Sequence, residues 1–301
     1  MDVGMIGLGR MGANMAERLI RGGHRVVGFD PKEEARKRVE KCGAESAVAF
    51  DMLMGKLAPP RTLWLMVPAG DVTEATVIAL LPLLAAGDTV IDGGNSNYLD
   101  TQRRGKLLAG RQVHYVDCGT SGGVWGLTEG YSMMVGGEES VVERLRPIFE
   151  TLAPAPDRGW GHVGPVGAGH FAKMVHNGIE YGLMQAYAEG FSIMQHKAEF
   201  ALDLHHVAEI WRYGSVVRSW LLELTSAALK DNPTLDGIAP HVPDSGEGRW
   251  TVAEAIDLDV PAPVITLSLR ARLASRDADS FSDKLLSAMR HQFGGHETKK
   301  G

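Results

Sequence analysis

The segment Gly7-Leu8-Gly9-Arg10-Met11-Gly12 constrains this chain more than any other. It closes a β-type run at residues 3–8 and opens a stretch at 11–21. There Met11, Met15, Leu19 and Ile20 recur at helical spacing before Gly22-Gly23 ends it. A G-x-G-x-x-G pattern has physical meaning in that strand–turn–helix setting. Gly7 permits the tight turn, Gly9 lets a pyrophosphate approach the backbone, and Gly12 lets helix and strand pack closely. The phosphates then meet the free amides at the helix N-terminus, with Leu8, Arg10 and Met11 in the same loop. A second signal agrees. Asp30 ends the next β-type run, 23 residues after Gly7. A carboxylate there binds ribose hydroxyls and repels a 2′-phosphate, so NAD is expected in preference to NADP. Lys32 and Arg36 are nearby cations that could take a phosphate instead. Val67-Pro68-Ala69-Gly70 ends another β-type run and should face the same cleft.

Short apolar runs at 3–8, 25–30, 62–67, 89–91 and 113–117 alternate with helical stretches at 11–21, 72–85 and 99–108. That alternation predicts a parallel sheet covered on both faces by helices. After a glycine- and proline-punctuated stretch at 161–169, β-type runs nearly vanish. Helices are expected at 171–195, 204–230 (one or two), 251–258, 263–275 and 280–292, with a loop at 240–248. The fold class is therefore α/β: an N-terminal Rossmann-type doubly wound sheet, residues 1–164, followed by an all-α domain, residues 165–301. The polar tail from His296 to Gly301 is expected to gain order only from a contact.

Composition excludes several classes of partner. The chain is 44% hydrophobic and 23% charged, as globular domains are. Its net charge of −6 argues against nucleic acid, so an anionic substrate needs a local basic cluster. Two cysteines, Cys42 and Cys118, make neither a disulfide framework nor a zinc site. No apolar run is long enough to span a bilayer, and the N-terminus lacks the basic-then-apolar pattern of a leader. A cytoplasmic protein without a metal is expected.

Three further motifs suggest chemistry. Gly93-Gly94-Asn95-Ser96 and Ser121-Gly122-Gly123 both follow strands, where open α/β sheets bind ligands. On the long helix, Asn177 lies about 40° from Lys173 and Glu180 about 20° from it on the other side, at 100° per residue. An amine, an amide and a carboxyl group therefore share one stripe, flanked by His176 and Tyr181. A solvated polar stripe is the plain alternative. The apolar neighbours Phe171, Met174, Val175 and Ile179 favour a buried helix facing a cavity.

These motifs, with Gly248-Arg249-Trp250-Thr251 and Arg290-His291-Gln292-Phe293-Gly294-Gly295-His296, closely resemble the 6-phosphogluconate dehydrogenase family. At 301 residues the chain is similar to the family's short form, whose members often prefer NAD. The resemblance implies oxidative decarboxylation of 6-phospho-D-gluconate. Lys173 would take the C3 hydroxyl proton and then support the enolate, which requires its pKa to fall toward about 7–8. Glu180 would protonate C1 of the enediol, while Asn177 and His176 hold hydroxyls. Asn95, Ser121, Gly122 and Gly123 would contact the substrate near the nicotinamide, and Asn95 would also touch the cofactor. Tyr181, Arg272, Arg290 and His296 would hold the phosphate, the last two from a partner's tail in a homodimer or homotetramer.

Two departures stand out. Asp244-Ser245-Gly246-Glu247 stands where long members carry a phosphate-binding Lys and Thr, leaving Arg249 as a compensating cation. Val124-Trp125 replaces acidic residues beside the Ser-Gly-Gly turn. A related dehydrogenase for a small unphosphorylated hydroxy acid of the 3-hydroxyisobutyrate type is the alternative. It would need neither Glu180-Tyr181 nor the Arg290–His296 tail. A catalytically silent dinucleotide sensor is a third possibility, and it would need no acid/base pair.

Overall fold

A computed structural model describes residues 1–294 and 297–298. The chain divides into two units, Met1–His176 and Asn177–Gly301. In chain order the first holds β1 (Asp2–Ile6), α1 (Arg10–Arg21), β2 (Arg25–Phe29), α2 (Glu33–Glu40), β3 (Glu45–Ala47), α3 (Phe50–Gly55), β4 (Thr62–Leu65), α4 (Asp71–Leu80), β5 (Thr89–Asp92) and α5 (Tyr98–Ala109). There follow β6 (His114–Ser121), α6 (Gly126–Glu129), β7 (Ser132–Gly136), α7 (Glu139–Leu152), β8 (Trp160–Gly164) and the start of α8 (Ala168–His196). The second unit holds the rest of α8, then α9 (Leu204–Trp211), α10 (Trp220–Asp231), α11 (Glu247–Asp257), α12 (Pro263–Ala274) and α13 (Phe281–Gly294).

The sheet order is β3-β2-β1-β4-β5-β6-β7-β8. Side chains alternate across it. Met5, Trp64, Ile91 and Val116 enter one core with the buried face of α1, while Ile6, Val27, Leu63, Leu65 and Val90 enter the other. Burial on both faces makes these strands continuous apolar runs. The five expected strands pair in parallel, and one strand beyond them reverses direction: β7 pairs antiparallel with β6. Only a short turn and the four-residue α6 separate them, too little chain for a parallel crossover, so the strand doubles back. The 14-residue α7 then carries the chain over, and β8 returns parallel to β7.

Seven elements of the first unit left no clear pattern in the sequence. Strand β3, Glu-Ser-Ala, is an edge strand held by pairing with β2. Helix α2 buries only Val39 and carries an i,i+4 Lys37–Glu33 pair along its exposed side. Strand β8 occupies part of the stretch that reads as glycine-punctuated linker, and α3, α6, β7 and α7 complete the set. In the second unit, the stretch 204–230 forms two helices. Asp203 caps α9 by accepting from the His206 amide, and Ser219 caps α10 through the Leu222 amide. Phe191, Ala208, Leu222 and Leu229 form the core between α8, α9 and α10.

A polar cluster is buried under α5. The Asp92 carboxylate accepts from Ser96 Oγ at 2.8 Å, Tyr115 OH at 2.9 Å and the Gly94 amide at 3.0 Å. Arg104, 1% exposed, lies 3.6 Å from it and donates to Glu74 at 2.9 Å. Arg103 also grips Glu74, and that hydrogen bond, reinforced by the one from Arg104, holds the carboxyl down to about 2. Because the folded state lowers this pKa from 4.5, the interaction stabilises the fold above that pH and is lost as pH falls through about 2. Glu74→Gln should therefore lower the melting temperature at pH 7 and flatten the loss of stability between these two values. Thermal melts of both proteins across that range measure the difference; parallel curves would remove Glu74 from this role.

Among the described residues, no helix is long and apolar enough to cross a membrane, and no group of three or more His, Cys, Asp or Glu could hold a metal ion.

Candidate functional site

The glycine loop is built as its residue types require. Gly7 has φ +90, and a Cβ there would meet the Met66 carbonyl oxygen at 2.4 Å. A Cβ on Gly12 would lie 2.0 Å from the Gly7 carbonyl oxygen, so loop and helix touch backbone to backbone. Over Gly9, by contrast, no heavy atom lies within 4 Å of the Cβ position. The first intrahelical bond of α1 runs from the Ala13 amide to the Gly9 carbonyl. No side chain caps this helix, and its first turn carries no acidic residue. Open space above a glycine at an uncapped positive helix end fits a pyrophosphate.

Asp30 Oδ2 accepts from the Leu8 amide at 2.8 Å and Oδ1 from the Lys32 amide at 2.9 Å. The carboxylate is thereby fixed beside the loop with lone pairs remaining on both oxygens, which suits a ribose diol. Arg36 is held in part by the backbone. It donates to the carbonyls of Asp30 at 2.6 Å and Pro31 at 3.1 Å. Arg38, which sequence reasoning passed over, binds the carbonyls of Leu8 and Gly9. Nothing in its helical setting within α2 marks it, because the contact spans about thirty residues of chain.

β1 and β4 are adjacent where the strand order reverses, the usual ligand site in such sheets. Val67, Pro68 and Ala69 follow β4, with the Pro68 carbonyl accepting from Thr73 Oγ1 at 2.9 Å. Asn95 has φ +53, and its side chain acts as a brace. Its Oδ1 accepts from the Thr120 amide at 2.9 Å and its Nδ2 donates to the Thr120 carbonyl at 3.1 Å. One lone pair and one proton are left for a ligand. Ser121 ends β6, half-buried. Gly122 (φ +140) and Gly123 (φ +50) form the turn beyond it, and Val124 and Trp125 stand exposed after them.

Helix α8 carries Lys173 and His176 in the first unit. Lys173 is 5% exposed, and its Nζ lies 3.2 Å from His176 Nδ1. Its Cβ rests on Gly119 of β6, where an added Cβ would come within 2.5 Å. In the second unit α8 continues with Asn177 and Tyr181, both buried, and the half-buried Glu180. Tyr181 OH is 3.1 Å from Ser245 Oγ, and burial pushes its hydroxyl pKa up. The Arg272 guanidinium lies 3.6 Å from the centroid of the Tyr181 ring and donates to the Pro243 carbonyl. Two of the four expected phosphate ligands are thus in contact. Arg290 sits on α13 and is exposed; His296 lies outside the described residues. Arg249 pairs through Nε with the buried carboxylate of Asp244, and its side chain is 52% exposed.

Residues 2–164 match the family model described as the NAD binding domain of 6-phosphogluconate dehydrogenase, and residues 169–300 match its C-terminal domain. A Haloferax volcanii protein named 6-phosphogluconate dehydrogenase, NAD(+)-dependent, decarboxylating is 44% identical over 301 residues, covering 100% of this chain and 99% of that one. A Bacillus subtilis NADP(+)-dependent decarboxylating 6-phosphogluconate dehydrogenase is 38% identical over 287 residues, covering 91% of this chain and 61% of its own. The solved Plasmodium falciparum 6-phosphogluconate dehydrogenase, studied with NADP+ and with 6-phosphogluconate, is 30% identical with a TM-score of 0.83. It is matched by all of this chain, which spans 66% of it. The chain belongs to the 6-phosphogluconate dehydrogenase family.

Proposed function

We propose that this protein converts 6-phospho-D-gluconate and NAD to D-ribulose 5-phosphate, CO2 and NADH. The supporting observation is end-to-end similarity, 44% over 301 residues, to a relative named as NAD(+)-dependent and decarboxylating. Gly7, Leu8, Gly9, Arg10, Met11, Gly12, Asp30, Val67, Pro68, Ala69 and Asn95 would hold NAD, which takes hydride from C3 when bound. Lys173, with its amine neutral, would accept the C3 hydroxyl proton as the hydride leaves. As an ammonium it would then hydrogen-bond the C3 oxygen while the β-keto acid loses CO2, stabilising the enolate charge. Glu180 would return a proton to C1 of the enediol. Asn95, Ser121, Gly122, Gly123, His176 and Asn177 would orient the hydroxyls and carboxylate. Tyr181, Arg272, Arg290 and His296 would bind the phosphate.

On this reading the dinucleotide domain is residues 1–164 and the substrate domain residues 165–301. Arg290 and His296 would come from a partner subunit, which requires a homodimer or homotetramer, and the enzyme would work in the cytoplasm.

Incubation with 6-phosphogluconate and NAD should release NADH and CO2 in equal amounts. NADH without CO2 would point instead to a simple hydroxy-acid dehydrogenase. Asp30→Ala should reduce the preference for NAD over NADP by about tenfold or more, since each 1.4 kcal/mol of lost carboxylate–diol bonding or relieved phosphate repulsion is one decade. Steady-state kcat/KM with each coenzyme decides this. An unchanged ratio would show that Asp30 is not the discriminator.

A further inference from the structure

We propose that Asp117, a buried carboxylate on β6, is a positioning residue that sets where Lys173 stands; this rests on the reading of Lys173 as the base. Asp117 is 0% exposed. Its Oδ1 accepts from the Gly167 amide at 2.7 Å and its Oδ2 from the His170 amide at 2.8 Å. The first is the amide of the residue just before the 29-residue α8 and the second that of its third residue, an end that needs acceptors. The acceptor comes from a neighbouring strand, not from the helix's own sequence. A buried carboxylate is costly unless hydrogen-bonded, and two amides at the positive end of a helix supply that compensation. The cap therefore holds α8 to β6 at one axial position.

The surrounding contacts leave no slack. Side chains at 117, 119 and 121 share one face of β6. Two residues along from the cap, a Cβ on Gly119 would meet the Gly169 carbonyl oxygen at 2.6 Å and the Lys173 Cβ at 2.5 Å. A Cβ on Gly169 would meet the Met134 carbonyl oxygen at 2.4 Å, and one on Gly136 would meet Asp117 Oδ1 at 2.5 Å. The helix thus lies directly on the backbones of β6 and β7. A slip by one residue, about 1.5 Å along and 100° around the axis, would carry Lys173 off its glycine seat.

A second tie acts at the same turn. His170 Nδ1 is 2.7 Å from Thr101 Oγ1, and that hydroxyl donates to the Asn97 carbonyl at 3.1 Å. The first turn of α8 is thereby joined to the first turn of α5, directly after the loop that carries Asn95. One face of β6 and one turn of α5 together fix the amine relative to the ends of β5 and β6.

The test is turnover per NADH-binding site, with sites counted by fluorescence titration of the full-length protein. Asp117→Asn keeps the shape but turns one acceptor into a donor facing an amide. It should lower kcat per site about ten- to a hundredfold, the cost of misplacing a catalytic group by about 1 Å, with KM for NAD within about twofold. Thr101→Val, which loosens the second tie and leaves the cap intact, should lower kcat per site less, about three- to tenfold. If Asp117→Asn does not fold, Thr101→Val carries the test alone. A purely structural role would lower the number of sites while turnover at each remained normal, and that result overturns the proposal. So does wild-type turnover per site in either folded variant. Lys173→Met separately tests the base: activity retained there would remove the reading on which the proposal rests, whereas an inactive Lys173→Met beside a fully active Asp117→Asn would reject the positioning role alone.

Discussion

Replacing Lys173 with Met should lower turnover of 6-phosphogluconate by about a thousandfold or more, because general base catalysis alone is worth about 10²- to 10⁴-fold. The same amine is asked to support the enolate after hydride transfer, so both halves of the reaction lose their partner. NAD affinity should stay within about twofold, because the glycine loop and Asp30 lie on other elements of the first unit. Met suits the site: Lys173 is 5% exposed, and an unbranched apolar chain of similar length can follow the same path over Gly119. Rate assays with NADH titration separate the two effects. Turnover within tenfold of wild type would take Lys173 out of the mechanism.

The second large effect concerns stability. Arg104→Met should cost about 3 kcal/mol, because removing one member of a buried ion pair leaves the other charge without compensation. Asp92 is 0% exposed, and its hydrogen bonds to Ser96, Tyr115 and Gly94 do not neutralise it. For a domain of this size that corresponds to a fall in Tm of about 6–12 °C. Arg103→Met offers the internal comparison. Arg103 holds the same Glu74 but its side chain is 53% exposed. Its loss should cost under about 1 kcal/mol. Equal shifts in the two variants would show that burial does not govern this cluster.

Much of the architecture could be read from residue order. Each of the five apolar runs lies where a strand forms, because a strand covered on both faces must be apolar throughout. The Gly7–Gly12 loop was legible for a similar reason, since a positive φ at Gly7 and backbone contact at Gly12 exclude other residues. β3 and β8 left little trace. A Glu-Ser-Ala edge strand and a Trp-Gly-His-Val-Gly strand owe their form to the neighbours they pair with. The β6–β7 reversal depended on loop length, and no propensity in either strand encodes its direction.

The candidate site divides in the same way. The sequence alone determined the kinds of group available and their local spacing: glycines at a turn, a carboxylate after the second strand, and an amine, an amide and a carboxyl group on one helical stripe. Helical and strand periods are set by the backbone, so short-range order suffices. Only the tertiary structure decided which of those groups are already engaged. Asn95 is taken up largely by Thr120, Arg36 and Arg38 are held in part by backbone carbonyls, and Arg249 pairs with Asp244. It also decided that Asp117, about fifty residues away in the chain, holds the start of the helix bearing Lys173. Hydrogen bonds between distant segments depend on where packing brings the backbone, and no local period records that.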